Sequence, residues 1–417
     1  MDIKVTPKYL CGKTGAIPSK ADAHRLLICA ALSDGPTELI MDQTSQDIEA
    51  TVSCLKALGA HIERTDGALL VEPIKKTADI PALDCMESGS TFRFLLPVAC
   101  ALYDGVSFTG HGRLPKRPIS DLTGEMKRHG VSFDKDALPF KTKGRLSGGE
   151  YSLPGNVSSQ YITGLLLALP LTREGGRIAL TTKLQSSPYV DITMNALKKF
   201  GIFVTKDEDS FKVESAQHFK TPERVCVERD WSNAAFFLCA GAIGAPVTLT
   251  GLNMDSPQGD KAIIDVLKKF GAKVSVSGDE ATVSPAELTA CEIDVSETPD
   301  MLPILSVLAS YAKGTTRFVN AARLRLKESD RLKACEDMLS ALGVSAEADE
   351  DSLSVTGTKV SGGTVDSAGD HRIAMSAAIA AIAASGCVTI KGAEAVNKSY
   401  PGFFEDYKKL GGVCHVV

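Results

Sequence analysis

One feature constrains this 417-residue chain more than any single motif: a unit of about seventy residues that recurs six times. In each copy an amphipathic helix ends in glycine, at Gly59, Gly130, Gly201, Gly271, Gly343 and Gly411, with intervals of 71, 71, 70, 72 and 68 residues. A glycine there can take the left-handed conformation that closes a helix and turns the chain into a strand. A second periodic mark opens another helix in each copy. Small or polar residues near Ser19, Ser88, Ser158, Ser232, Asp300 and Asp370 run straight into apolar stretches, at intervals of 69, 70, 74, 68 and 70 residues. Alternating segments such as Ala68-Leu69-Leu70-Val71-Glu72 and Val247-Thr248-Leu249-Thr250 read as strands between the helices. The spacing predicts six α/β units, each with two helices and several short strands.

A chain of this length exceeds what one hydrophobic core supports, so six units divide naturally into three plus three. The segment Val225-Cys226-Val227-Glu228-Arg229-Asp230 reads as the hinge between the halves, and the strand before Pro18 must join one half or the other. Helices such as the one after Asp370 carry almost no charge, which predicts burial as a bundle within each half. Three inner helices per half, their amino ends on one face, would aim six sets of unpaired N–H groups at a common cleft. Such ends attract phosphate and carboxylate.

Composition narrows the partners. Lys plus Arg number 46 against 51 Asp plus Glu, a formal charge of −5, which leaves no broad basic surface for nucleic acid or acidic lipid. The first eight residues contain no apolar core of signal-peptide length, and the most apolar later stretch, around 374–384, falls far below the roughly 18 residues of a membrane span. A cytoplasmic location is expected. Eleven cysteines without a C-x-x-C pair read as reduced thiols in or near cores, and seven histidines without close ligand spacing imply no metal and no cofactor. Gly12-Lys13-Thr14 imitates the end of a phosphate-binding loop, but Pro7 stands where that motif needs its first glycine, so a simple turn is expected there.

Charged residues cluster beside the predicted helix starts. Lys20 and Arg25 flank the first; Glu87-Ser88-Gly89-Ser90-Thr91-Phe92-Arg93 forms the second, with Gly89 permitting close backbone approach; Ser158-Ser159-Gln160 forms the third. Arg323-Leu324-Arg325-Leu326-Lys327-Glu328-Ser329-Asp330-Arg331 alternates before it turns helical, and Asp370-His371-Arg372 opens the sixth helix. Exposed ion pairs contribute only about 0–1 kcal/mol, so this density of opposite charge points to a site rather than to stability.

Taken with Lys116-Arg117-Pro118-Ile119, Ser186-Ser187-Pro188-Tyr189, Gln258-Gly259-Asp260 and Pro299-Asp300, these motifs make the chain resemble the 5-enolpyruvylshikimate-3-phosphate synthase (3-phosphoshikimate 1-carboxyvinyltransferase) family over essentially its whole length. The resemblance implies an α/β fold, a two-domain inverse α/β barrel in which each domain repeats a βαβαββ unit three times. Its implied domains are 1–17 with 230–417, and 18–229, with the active site in the cleft between them. The implied reaction joins phosphoenolpyruvate to shikimate 3-phosphate, releasing phosphate, in aromatic amino acid biosynthesis. A monomer acting on these two small molecules, with no nucleic acid or membrane partner, is expected.

Position by position, the resemblance places Lys20, Gly89, Arg117, Gln160, Glu328, Arg331, Arg372 and Lys398 around phosphoenolpyruvate. It places Lys20, Arg25, Ser158, Ser159, Gln160, Ser186, Tyr189, Asp300, Arg323 and Lys327 around shikimate 3-phosphate. Both substrates carry a phosphate and a carboxylate, which Arg meets with planar paired donors and Lys with a compact charge. Asp300 would accept the proton of the 5-hydroxyl, and either Lys20 or Glu328 would protonate the methylene carbon. Adjacent cations lower the proton affinity of Glu328, so the choice between the two stays open.

The sequence departs from the family pattern at Ala21, Glu87, Ser90 and Arg323, which bears on substrate affinity and on sensitivity to glyphosate. Two rival readings are weaker. A related carboxyvinyltransferase family acting on UDP-N-acetylglucosamine carries Cys or Asp in the loop before Arg-Pro, and residues 111–118 contain neither. A catalytically silent anion-binding protein would gain nothing from two carboxylates beside Lys327 and Arg331.

Overall fold

All six helix-ending glycines sit at positive φ, from 75° at Gly343 to 100° at Gly59, so the period read from the sequence is a period of backbone turns. The computed structural model of the protein describes residues 1–75 and 80–417. Two compact units divide the chain, Met1–Ser19 with Arg229–Val417 as one and Lys20–Glu228 as the other. Pro18 and Ser19 thus belong with the discontinuous unit, where Pro18 pairs antiparallel with Arg229.

Six four-stranded sheets are present among the described residues, three in each unit, and all share one pattern. In the third sheet of the continuous unit, Gly149–Leu153 runs parallel to Gly176–Leu180, with helix Ser159–Ala168 connecting them. Ser210–Val213 pairs antiparallel with the second strand, and Val204–Lys206 closes the order, preceded by helix Ser187–Lys199. Tyr151, Ile178 and Phe211 stand opposite one another and are buried, whereas Glu150, Arg177 and Lys212 beside them are exposed. That alternation is what a strand with one face on a core and one in water requires. Each unit is three such βαβαββ modules, an inverse α/β barrel with helices inside and sheets outside.

Three sheets borrow a strand from a distant part of the chain. Gly12–Gly15 lies parallel to Val247–Thr250, so the segment expected to be a turn is a strand. Its mostly exposed, glycine-flanked residues give it no hydrophobic alternation to reveal it. Ile3–Thr6 sits between Val388–Lys391 and Val413–Val416. Arg224–Cys226 runs parallel to Thr37–Ile40, which removes the first part of the expected hinge and leaves 227–230 as the connection. Asp22 accepts a hydrogen bond from Glu228 N at 3.0 Å, and Asp230 N donates to Ile17 O at 2.8 Å, anchoring that connection at both ends.

In the discontinuous unit the inner helices Trp231–Ile243, Leu302–Ser310 and His371–Ala380 pack on one another. In the continuous unit Gly89–Leu102 packs on Ser159–Ala168, and a Cβ at Gly164 would lie 2.2 Å from the Arg93 carbonyl oxygen. Lys20–Leu32 reaches both through Arg25, whose guanidinium lies 4.8 Å from the Phe94 ring centre and 3.4 Å from Thr163 Oγ1. No helix among the described residues is long and apolar enough to cross a membrane. All eleven cysteines are free; seven are buried, but Cys11 and Cys226 are exposed, so the expected core placement does not hold for those two.

Four of the six predicted helix starts coincide with the structure: Ser19 directly precedes Lys20–Leu32, and Ser88, Ser158 and Asp370 are N-caps whose side chains accept from backbone N–H groups. The other two shift. Asp230, not Ser232, caps the fourth helix, with Asn233 N donating at 2.7 Å. Asp300 lies inside the 3-10 turn Pro299–Met301, one turn before helix Leu302–Ser310. Arg323 likewise lies in a 3-10 turn, Ala322–Leu326, rather than in an extended stretch.

Candidate active site

In the discontinuous unit the inner-helix starts build an ionic cluster around Asp300. Arg331, the first residue of helix Arg331–Ala341, is 1% exposed and uses both ends of its guanidinium. Nη1 donates to Asp300 Oδ1 at 2.6 Å, Nη2 to Glu328 Oε2 at 2.8 Å, and Nε to Asp370 Oδ2 at 2.9 Å. Burial works against its charge, but Asp370, Glu328 and Asp300 outweigh it and hold the guanidinium pKa well above its usual value.

Asp370 is fully buried and has two duties: it caps its own helix through Arg372 N at 3.0 Å, and it fixes Arg331 and Ser329 Oγ, the latter at 3.0 Å. Burial raises its carboxyl pKa, yet Arg331 and His371 reverse the sign and keep it below the ordinary range. Arg372 reaches across with Nη1 on the Asp300 carbonyl at 3.0 Å and Nη2 on Asp300 Oδ2 at 3.3 Å. Lys327 Nζ completes the set 3.4 Å from Asp300 Oδ1. Desolvation lowers the Lys327 ammonium to about 8, with Asp300 opposing the shift and Arg331 and Arg323 adding to it. Asp300 therefore faces three cations at once.

Arg323 and Lys398 stand one step away. Arg323 Nη2 donates to Ser296 O at 2.7 Å, and Lys398 Nζ to Gly369 O, the residue before Asp370, at 2.7 Å.

The continuous unit carries a second cluster. Lys20 opens its helix and pairs with Asp47 Oδ2 at 2.8 Å, both side chains largely buried. Ser88 caps the helix beginning at Gly89, and that glycine is a cradle: a Cβ there would lie 2.6 Å from Arg117 Nη1 and 2.8 Å from Arg93 Nη1. Arg93 donates to Gln160 Oε1 at 3.2 Å and to Pro118 O at 2.9 Å, tying the Arg117 loop to two helices. Gln160 Nε2 bonds Ser90 Oγ at 3.1 Å, and Ser158 Oγ caps Gln160 N at 3.3 Å, with Ser159 buried beside it.

Arg25 is 2% exposed and already spends donors inside the fold, on Thr193 Oγ1 at 2.7 Å, Ala21 O at 2.5 Å and Tyr189 O at 2.9 Å. Burial brings its guanidinium down to about 10, opposed by Asp22. Ser186 holds φ of 56° at the cap before Ser187–Lys199, a left-handed conformation unusual for a non-glycine residue. Such strain is kept where neighbouring structure, and often function, demands it.

Within each unit the predicted residues therefore gather: Asp300, Lys327, Glu328, Arg331 and Arg372 in one, Gly89, Arg117 and Gln160 in the other, with Lys20, Arg25, Ser186 and Tyr189 on adjoining helix starts. Sequence reasoning assigned no substrate contact to Asp47, Arg93 or Asp370, and read Asp370 only as a helix start. Asp47 looks like any acidic residue in a first helical turn. Arg93, a lone cation inside an otherwise apolar helix, was the readable signal.

A sequence profile of the EPSP synthase (3-phosphoshikimate 1-carboxyvinyltransferase) family matches residues 5–407. The chain is 42% identical over 422 residues to the 3-phosphoshikimate 1-carboxyvinyltransferase of Clostridium kluyveri, covering 98% of this chain and 97% of that one. It is 39% identical over 418 residues to the protein of the same name from Methanocorpusculum labreanum, covering 99% of each. Among solved structures, EPSP synthase from Acinetobacter baumannii superposes with a TM-score of 0.83 at 25% identity, over 100% of this chain and 99% of that one. The enolpyruvyl transferase NikO from Streptomyces tendae shares the fold, with a TM-score of 0.82 at 21% identity over 99% and 98%. A profile match over nearly the whole length, with relatives near 40% identity from end to end, means that the chain belongs to the EPSP synthase family.

Proposed function

We propose that this protein transfers the enolpyruvyl group of phosphoenolpyruvate to the 5-hydroxyl of shikimate 3-phosphate, releasing inorganic phosphate, and that the two clusters serve this one reaction. The observation that carries the reading is Asp300, a carboxylate held by Arg331, Arg372 and Lys327 with Glu328 on the far arm of Arg331. A passive anion site has no use for that arrangement. A transferase needs a base beside the cations that grip its substrates.

Phosphoenolpyruvate is assigned to Lys20, Gly89, Arg117, Gln160, Glu328, Arg331, Arg372 and Lys398. Shikimate 3-phosphate is assigned to Lys20, Arg25, Ser158, Ser159, Gln160, Ser186, Tyr189, Asp300, Arg323 and Lys327. In the free enzyme the Asp300 carboxylate accepts from three cations. Substrate phosphate and carboxylate compete for those donors, and each one drawn away leaves a carboxylate oxygen open to the 5-hydroxyl. The 5-oxygen then attacks C2 while its proton passes to Asp300, and the π electrons of the double bond take a proton at the methylene carbon from Lys20 or Glu328. The resulting tetrahedral ketal phosphate collapses when its new methyl group returns a proton to the residue that donated it and the carbon–oxygen bond to phosphate breaks. Arg117, Arg331, Arg372 and Lys398 stabilise the departing charge.

Both clusters come from one chain, which fits a monomer acting on two small molecules. Exposed Cys11 and Cys226 fit the reducing cytoplasm. The deciding assay measures phosphate release from phosphoenolpyruvate with and without shikimate 3-phosphate. Release should require the shikimate ester and survive a chelator, and Asp300→Ala should lower turnover by about a hundredfold or more while the protein stays folded. Release without the ester would refute the assignment of the acceptor, and normal turnover in the variant would remove Asp300 from the chemistry.

A further inference from the structure

A continuous file of polar side chains runs through the apolar interior of the continuous unit, and no step of the reaction above uses it. His24 lies on the inner face of helix Lys20–Leu32, Thr51 on helix Gln46–Ala57, and Thr91 and Ser88 at the start of helix Gly89–Leu102. All four are between 0% and 1% exposed. His24 Nδ1 is 2.7 Å from Thr51 Oγ1, Thr51 Oγ1 is 2.7 Å from Thr91 Oγ1, and Thr91 Oγ1 is 2.7 Å from Ser88 Oγ. Ser88 Oγ also accepts from Thr91 N at 3.2 Å, and Thr91 Oγ1 lies 3.3 Å from the carbonyl oxygen of Asp47, the residue that pairs with Lys20. Three helices are thereby bolted together at the two points where Lys20 and Gly89 enter the site.

The bonds have a sense of direction. If Thr91 gives its hydrogen to the nearer oxygen, that of Ser88, its lone pair must accept from Thr51, and Thr51 must accept from the imidazole. The far nitrogen of His24, Nε2, has no hydrogen-bond partner among the described residues, and the Phe94 ring stands edge-on to the imidazole at 6.3 Å. Burial, with Lys20 and Arg25 adding repulsion, holds the ring well below the ordinary histidine pKa, so it is neutral and carries one hydrogen. With a bare Nε2 lone pair and a hydrogen on Nδ1, each hydroxyl from Thr51 to Ser88 accepts from the member before it.

We propose that the buried chain His24–Thr51–Thr91–Ser88 is a positioning device for the phosphoenolpyruvate subsite, relaying hydrogen-bond donation one way, from the imidazole Nδ1–H to the cap oxygen of the helix that begins at Gly89. Aligned hydroxyls polarise one another, so the cap is held more firmly than an isolated serine would hold it. The backbone N–H groups at the helix start, and Arg117 against Gly89, keep the geometry an anion needs. Gly89, the first residue of the helix that Ser88 caps, is assigned to phosphoenolpyruvate alone, so that substrate should respond more strongly than shikimate 3-phosphate. This inference rests on the assignment of phosphoenolpyruvate made above.

Thr51→Val keeps the β-branched shape and removes the middle hydroxyl. It should raise KM for phosphoenolpyruvate by about tenfold or more, the scale of leaving buried polar partners unmade. KM for shikimate 3-phosphate should stay within about twofold, and Thr51→Ser should restore the wild-type value. A merely structural role would lower melting temperature and depress turnover without separating the two substrates. Equal changes in both KM values, or no change in a folded variant, would overturn the proposal. Should Thr51→Val fail to fold, the wild-type protein still decides. Long-range proton–nitrogen correlation of His24 should show the neutral Nδ1–H tautomer throughout pH 6 to 9, and an Nε2–H tautomer or an imidazolium would refute the relay. Phosphate release by wild type without shikimate 3-phosphate would sink the functional assignment on its own control, independently of the tautomer.

Discussion

Lys327 shows how a single side chain turns its surroundings into a measurable property. Desolvation lowers its pKa from 10.5 to about 8 despite the pull of Asp300. Its positive charge is present below that value and disappears as pH rises through it. If Lys327 holds a substrate anion, kcat/KM for shikimate 3-phosphate should fall with an apparent pKa near 8, since this ratio reports groups of the free enzyme. Bound substrate favours the charged form, so the limb in kcat should move to higher pH. Lys327→Arg, whose charge persists, should abolish the limb in kcat/KM even if affinity falls. An unchanged profile in that variant would mean that another group titrates there. At this scale the sequence was informative where charge density was abnormal, as from Arg323 to Arg331. It was silent on Asp47 and Thr51, because an acidic residue or a threonine in a helix acquires its meaning only from partners on other helices.

Elements were legible where their signals are local and illegible where pairing is distant. The six glycines at positive φ, and the caps at Ser88, Ser158 and Asp370, follow from short-range backbone chemistry. Strand Gly12–Gly15 has no such mark, since it exists because Val247–Thr250 offers a parallel partner. The helix expected near Asp300 begins at Leu302, because the 3-10 turn Pro299–Met301 comes first, and from that turn the Asp300 carboxylate meets Arg331 and Arg372. Helix crossing is another non-local feature. Gly164 lets Ser159–Ala168 approach Gly89–Leu102 so closely that a Cβ would lie 2.2 Å from Arg93 O and 3.1 Å from Pro97 Cγ. Gly164→Ala gains up to about 1 kcal/mol of helix propensity, but forcing apart a packed interface costs about 1–3 kcal/mol or more. The contact is with backbone, which cannot rotate away, so the penalty should win. The urea midpoint should drop, and Arg93, displaced from Gln160 and Pro118, should hold the Arg117 loop less well. A midpoint at or above wild type would show that the helices separate without cost.

For the molecule as a whole, the sequence revealed how many modules there are but not how the chain threads them. Among the described residues, the continuous unit draws the twelve strands of its three sheets from between Thr37 and Cys226, and its buried apolar cluster runs from Ala23 to Val227. The other unit depends on both ends of the chain: Ile3, Val5 and Leu10 belong to its core, and Ile3–Thr6 is an interior strand with a neighbour on each side. The two units should therefore answer truncation differently. A fragment of residues 20–228 should fold alone and unfold cooperatively in urea, because it keeps every sheet and the whole of its core. Removing residues 1–15 should instead leave Val413–Val416 without a partner strand and strip Val247–Thr250 of its parallel neighbour. An unsatisfied interior strand costs more than a missing edge, since each buried backbone group left unpaired loses about 1–3 kcal/mol. Hydrogen exchange on the truncated protein should then show protection retained across 20–228 and lost across 229–417. Uniform protection would mean that the first strands are dispensable, and uniform loss that the continuous unit cannot stand by itself.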